Sequence, residues 1–275
     1  MHGFGSSADT WRKQYRDYAA AGYRVFGLDL LGFGMSDKPL DTEYSIELWS
    51  DMIVEFVAQI AGGSAVLMGN SIGSLVCCTA ARNAPSAVKG LVLCNCAAGM
   101  NNKFIVTDQR TPALGKVIFG AIFGLLDLLL SIDSFALWFF SKIKSRETVS
   151  NVLKGVYVDK GSVDEDLVRS ILDPAEDPNA VTAFVKILTG EPGTTPDKFL
   201  HLVKQPILLV WGDQDPFTPI DAGYGIYFTR ELVESRPATD LCVVNAGHCP
   251  QDDGAAAEDV NKGVREWLSR LAPAS

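Results

Sequence analysis

The sequence predicts an α/β fold: a mostly parallel sheet wound on both faces, with a helical segment inserted into it. Short apolar runs of strand length alternate with stretches of helical spacing, the pattern of a buried parallel sheet. The alternation stops near residue 98 and resumes near residue 205. A chain of 275 residues with 47% hydrophobic and 21% charged residues has the length and composition of one large globular unit.

Residues 9–21 (DTWRKQYRDYAAA) have the spacing of an amphipathic helix, with Asp9 placed to cap it and Gly22 to stop it. Residues 23–30 (YRVFGLDL) then predict a buried strand, followed by the turn DLLGFGMSDKP over 29–39. In 45–60, Ile46, Trp49, Ile53, Phe56, Val57 and Ile60 fall on one helical face. A strand is predicted over 64–70, a helix over 72–83 and a strand over 89–97. Residues 98–204 show helical patterns without a convincing strand. Strands at 206–212 and 240–245 and helices at 221–235 and 255–271 complete the alternation. The predicted organisation is a core made of 1–97 and 205–275, with 98–204 as a helical lid.

The formal net charge of −9 and the absence of a basic stripe argue against a nucleic-acid partner. Most of the six cysteines (Cys77, Cys78, Cys94, Cys96, Cys242, Cys249) sit in apolar strand or helix patterns, which predicts reduced, buried thiols and a reducing compartment. Cys94 and Cys96 should point the same way from one strand. No spacing suits a metal.

Residues 114–140 (LGKVIFGAIFGLLDLLLSIDSFALWFF) are nearly all apolar. Asp127 and Asp133 interrupt the run and Gly120 and Gly124 weaken it, against a membrane span of about 20 residues. Two readings remain: a greasy lid over an apolar pocket, one that could also touch a bilayer surface, and, ranked behind it, plain core helices.

The strongest chemical signal is Gly69-Asn70-Ser71-Ile72-Gly73, a G-x-S-x-G between a predicted strand and a predicted helix. A sharp strand-to-helix turn exposes a serine there, and only small neighbours avoid a clash. A serine hydroxyl needs a base. Of the three histidines, His248 follows the last predicted strand, at the carboxyl end of the sheet, whereas His201 falls in a connection and His2 precedes a Gly-rich turn that it would fix by hydrogen bonds. The acid that orients the histidine comes from Trp211-Gly212-Asp213-Gln214-Asp215, where Asp215 is preferred over Asp213. Two backbone N–H groups must face the developing oxyanion; Ile72 supplies one and Phe4, in His2-Gly3-Phe4-Gly5, the other.

With HGFG, DLLGFGMSDKP, GNSIGS, WGDQD and GHCPQDD in this order, the whole chain resembles the alpha/beta hydrolase family. Within it, CNCAAGMNNK, FVKILTGEPG and GHCPQDD look like the plastid chlorophyll dephytylases, relatives of pheophytinase. The resemblance implies hydrolysis of the phytyl ester of chlorophyll-type pigments, a thylakoid-associated plastid location and no cofactor. The substrate would be a small apolar ester, and Phe123, Leu125 and Leu129 would line the site for its alcohol. Two other functions share this constellation: a carbon–carbon bond hydrolase of ring-cleavage products, and a non-catalytic ligand-sensing receptor. In the family the HGFG turn follows a central third strand, whereas here only Met1 precedes His2. The resemblance thus predicts a longer natural protein with a transit peptide. It also predicts a gap or a compensating contact between 23–30 and 64–70, where each unpaired buried backbone group costs about 1–3 kcal/mol.

Overall fold

A computed structural model describes residues 1–271. In chain order the elements are α1 (Arg12–Ala20), α2 (Ile46–Phe56), β1 (Ala65–Asn70), α3 (Ile72–Asn83), β2 (Val88–Cys94), α4 (Phe104–Thr107), α5 (Ala113–Leu130), α6 (Asp133–Ile143), α7 (Arg146–Val156), α8 (Glu165–Leu172), α9 (Ala180–Thr189), β3 (Ile207–Gly212), α10 (Gly223–Ile226), α11 (Val233–Ser235), β4 (Thr239–Val244) and α12 (Ala256–Arg270). The four strands form one parallel sheet in the order β1-β2-β3-β4.

Alternation along the central strands builds a core on each face. Leu91 and Leu93 of β2 and Ile207, Leu209 and Trp211 of β3 face α2 and α3, packing with Trp49, Ile53 and Leu75. Val92, Cys94, Leu208 and Val210 face the opposite way, onto Trp11 and Tyr18 on one side and Val260, Val264 and Trp267 of α12 on the other. The period of two therefore sorts each residue to its layer.

Helix ends follow local capping chemistry. Ser45 Oγ accepts from Leu48 N and starts α2, and Gly22, with φ +90°, follows α1. The 3₁₀ turn Ala8–Trp11 that leads into α1 is capped by Ser7, whose hydroxyl accepts from Asp9 N, two residues before the expected Asp9; α1 itself follows Trp11 without a side-chain cap.

Residues 23–30 differ from the predicted strand. They carry no regular secondary structure, and Tyr23, Arg24, Phe26 and Gly27 are exposed. A strand needs a neighbour to satisfy its backbone, and no ladder joins this segment to β1. Beside β1 lies Met1, whose nitrogen donates to Met68 O (2.6 Å) and whose carbonyl accepts from Asn70 N (3.0 Å). His2 bridges the remaining space. Its Nε2 accepts from Leu30 N (3.0 Å), so Nδ1 is the protonated nitrogen and donates to Gly3 O (2.7 Å). Burial pushes the His2 imidazole down to about 4, which keeps it neutral.

β2 ends three residues earlier than predicted. Asn95 takes the left-handed region (φ +41°) and turns the chain, so Cys96 enters the core opposite to that of Cys94. All six cysteines are free, and burial pushes the Cys77 and Cys249 thiols up to about 12.

Candidate active site

Ser71 stands between β1 and α3 with φ +56° and ψ −122°, a backbone strain of order 1–3 kcal/mol for a non-glycine residue. Its flanking glycines are sterically required. A Cβ on Gly69 would lie 2.4 Å from the Gly73 backbone, and one on Gly73 would lie 2.5 Å from Met1 O. Ser71 N donates to Cys94 O (3.0 Å), pinning the turn to the end of β2. The Gly3 turn lies directly over this serine, since a Cβ on Gly3 would sit 3.2 Å from Ser71 Cβ. Phe4 and Ile72 both border the cavity that Ser71 opens into.

His248 follows β4 and lines the same cavity. Its Nδ1 lies 2.8 Å from Asp215 Oδ2. Asp215 is buried, whereas Asp213 is exposed on the turn. Burial pushes the Asp215 carboxyl up, but its hydrogen bond to His248, the attraction of that imidazole, and donation from Thr218 Oγ1 and Phe217 N outweigh it and hold the group below its usual range. No hydrogen bond joins the Ser71 hydroxyl to His248 among the described residues; such contacts often tighten only around a substrate. His201 is exposed, away from the cavity lining, and His2 is the structural pin described above.

Two asparagines escaped the sequence reasoning. Asn95 Nδ2 donates to Asp215 Oδ2 (2.7 Å), while its Oδ1 accepts from Gly212 N (2.9 Å), which fixes the amide orientation. Asn70 Nδ2 donates to His248 O (2.8 Å) and Cys94 O (3.2 Å). The place of Asn70 next to Ser71 is the one signal the sequence carries; the positive φ of Asn95 is visible only in the structure.

The cavity has a volume of about 1150 Å³. Its floor is the Gly3–Ser6 turn, Ser71 and His248; its walls are largely apolar residues of 98–188, among them Phe119, Phe123, Leu126, Phe140, Val152 and Phe184. Phe123 lines it. Leu125 and Leu129 do not, and Leu126 takes that place. Apart from Lys116 and Asp127 α5 is apolar nearly all round, so helical spacing marks no single cavity face and the rotation of the helix decides which residues line it. Among the described residues no cluster of three His, Cys, Asp or Glu could hold a metal ion.

A strained serine on a strand-to-helix turn, a histidine paired with a buried aspartate, and backbone N–H groups beside them are the parts of an acyl-transfer site. The family model described as alpha/beta hydrolase fold matches residues 1–255. The chain belongs to the alpha/beta hydrolase family. Among curated relatives of this hydrolase, a 2-hydroxy-6-oxononadienedioate/2-hydroxy-6-oxononatrienedioate hydrolase of Burkholderia vietnamiensis is 28% identical, covering 98% of this chain and 86% of that protein. The chloroplastic pheophytinase of Arabidopsis thaliana is also 28% identical over 98% of this chain, which spans 60% of the pheophytinase. A solved esterase from Thermogutta terrifontis superposes with a TM-score of 0.69 at 19% identity, over 99% of this chain and 89% of the esterase, a likeness of fold.

Proposed function

We propose that this hydrolase cleaves a carboxylic ester of a long apolar alcohol, the phytyl ester of chlorophyll-type pigments. Ser71 is the nucleophile, His248 the base and Asp215 the orienting acid. Ser71 Oγ attacks the ester carbonyl as His248 Nε2 takes its proton. The oxyanion faces the N–H groups of Phe4 and Ile72. The tetrahedral species collapses, His248 returns the proton to the departing alcohol, and water repeats the sequence on the acyl-enzyme.

The observation that carries this reading is the self-neutralised lining of the cavity. Four cationic side chains border it, and each is already engaged. Lys103 Nζ bonds Asp127 (2.6 Å), Arg110 bonds Asp197 (3.3 Å) and Asp108 (3.5 Å), and Lys144 bonds Glu176 (3.2 Å). Lys38 Nζ donates to Gly34 O (2.8 Å) and Ser36 O (3.0 Å) and lies 4.0 Å from Asp177 Oδ2, the loosest of the four pairs. A large apolar cavity without a spare cation suits a neutral greasy substrate, whose burial contributes about 0.8 kcal/mol per CH₂. The pheophytinase relative agrees with this chemistry.

A second reading, carbon–carbon bond hydrolysis, draws on the Burkholderia relative at the same identity. Its dioate substrate carries two carboxylates, which would have to displace these ion pairs. Offering a phytyl pigment and a dienone dicarboxylate side by side separates the two: turnover of the dienone alone overturns the ester assignment.

Residues 98–204 act in this proposal as the lid, and its outer side meets a lipid surface, that of a thylakoid membrane in a plastid. α5 is long and apolar enough to cross a membrane by length and composition, with mean hydropathy 2.0 and only 6% of its 18 residues buried. One side of the helix lines the cavity through Phe119, Phe123 and Leu126; the other exposes Leu114, Val117, Ile118, Ile122, Leu125 and Leu128. A helix lying on a bilayer would thus stand between the lipid and the cavity.

A further inference from the structure

The GHCPQDD segment holds a carboxylate that the proposed chemistry does not use. Asp253 is 2% exposed. Its Oδ2 accepts from Gly247 N (2.8 Å), the residue before His248, and from Val158 N (2.7 Å); its Oδ1 accepts from Asp159 N (2.8 Å). No ion pair is made by Asp253 among the described residues. Three main-chain N–H groups satisfy the charge, two of them just beyond the end of α7 and one at the base of the histidine loop. The same two stretches meet directly. His248 N donates to Val156 O (2.9 Å), so the last residue of α7 is capped by the histidine's own backbone. A Cβ on Gly247 would lie 1.9 Å from Val156 O, so the two backbones are in contact. α7 in turn walls the cavity with Thr148, Val149, Val152 and Leu153.

We propose that Asp253 is a positioning residue: its carboxylate clasps the end of α7 to the His248 loop, so that the lid wall sets where the imidazole stands over Ser71. The proposal rests on the hydrolase reading for its kinetic consequence but not for its structural one. A carboxylate bridging both segments transmits a shift of α7 to the backbone on each side of the His248 peptide. A misplacement of about 1 Å can cost on the order of 100-fold in rate. Neighbouring contacts reinforce the clasp without reaching His248: Arg12 bonds Asp252 (2.9 Å) and Asp164 (2.8 Å), and Gly254 N donates to Ser162 Oγ (2.8 Å).

The test is Asp253→Asn, which keeps one oxygen and turns an NH₂ toward an N–H donor. The low-field proton NMR resonance of His248 Nδ1–H, which exists whether or not the protein turns over any ester, is expected to shift or broaden. With a short p-nitrophenyl ester, kcat is expected to fall at least tenfold at a KM within about threefold of wild type. Thermal unfolding checks that the variant is folded. Should Asp253→Asn not fold, Asp159→Pro is compared with Asp159→Ala. Asp159 has φ −79°, which proline accepts, so the pair differs in the N–H that Oδ1 receives. Lower kcat and an altered resonance in the proline variant alone support the clasp. An unchanged resonance in folded Asp253→Asn, or in the proline variant where the asparagine variant does not fold, overturns it. Unchanged kcat in an active protein overturns it equally. If wild type hydrolyses nothing while the resonance moves in the variant, the hydrolase reading fails and the clasp stands.

Discussion

His248 Nδ1 and Asp215 Oδ2 stand 2.8 Å apart, and the same oxygen also receives Asn95 Nδ2 at 2.7 Å. Asp215 is thereby held as an anion whose lone pairs are fixed in direction, which fixes the imidazole tautomer with Nε2 free for the serine. Asp215→Asn is expected to lower kcat on a p-nitrophenyl ester by about 10⁴, because an amide can stabilise the wrong tautomer. Asp213→Asn, on the exposed turn, is expected to stay within twofold. Initial rates of the two purified variants check this, and equal losses would remove Asp215 from the assigned role.

Ser71→Ala is expected to abolish release of the alcohol, read by chromatography of pigment products after incubation with wild type and variant. Phe4→Ala is expected to behave differently. The proposed donor is the backbone N–H, which alanine retains, so the rate should fall by less than the 10²–10³ that loss of an oxyanion donor costs. A full loss in Phe4→Ala would mean that the ring, packed 5.6 Å from Phe33 and 5.8 Å from Phe184, holds the turn in place.

Much of this architecture was legible in the sequence because it depends on short-range pattern. α3 spans the predicted 72–83, and its position fixed Ser71 at the turn. Strand β3 followed in the same way. What the sequence could not reveal depends on partners far along the chain. Residues 23–30 have strand composition but no neighbouring strand, so they remain irregular. Asn95 meets Asp215 across 120 positions, and Asp253 meets Val158 across 95, with no local signal of either pairing. Leu125 and Leu126 are adjacent and chemically identical, and only the rotation of α5 decides that Leu126 lines the cavity.

That rotation separates two roles on one helix. Phe123→Asp and Leu126→Asp are expected to lower kcat/KM for a phytyl ester at least tenfold while leaving a short p-nitrophenyl ester within about threefold. Losing apolar contact at about 0.8 kcal/mol per CH₂ reaches a factor of ten after two groups. Equal losses on both esters would sink the assignment of this wall to the long alcohol.

Leu125→Asp and Leu128→Asp, on side chains 58% and 64% exposed, should spare hydrolysis of the short ester. They are expected to weaken co-sedimentation with galactolipid–phosphatidylglycerol vesicles at least threefold. Unchanged vesicle binding in both variants would remove the bilayer contact from the proposal.

His2 gives the fold a pH dependence of its own. Its ring is fully buried between the Leu30 N–H and Gly3 O and stands edge-on to Phe33 at 5.6 Å. Burial lowers its pKa from 6.5 to about 4, so between those values the unfolded chain binds a proton that the folded one refuses. Stability is then fully present above 6.5 and declines as the pH falls toward 4, by on the order of 2 kcal/mol by pH 5. Asp215 acts in a separate, lower window. Its carboxyl is depressed in the fold, so its contribution is lost only as the pH drops below the ordinary value of 3.8. Urea midpoints at pH 7.5 and 5 in wild type and His2→Asn check the assignment. The variant should start less stable and show a flatter decline, and an identical slope in both proteins would mean that other groups carry the acid sensitivity.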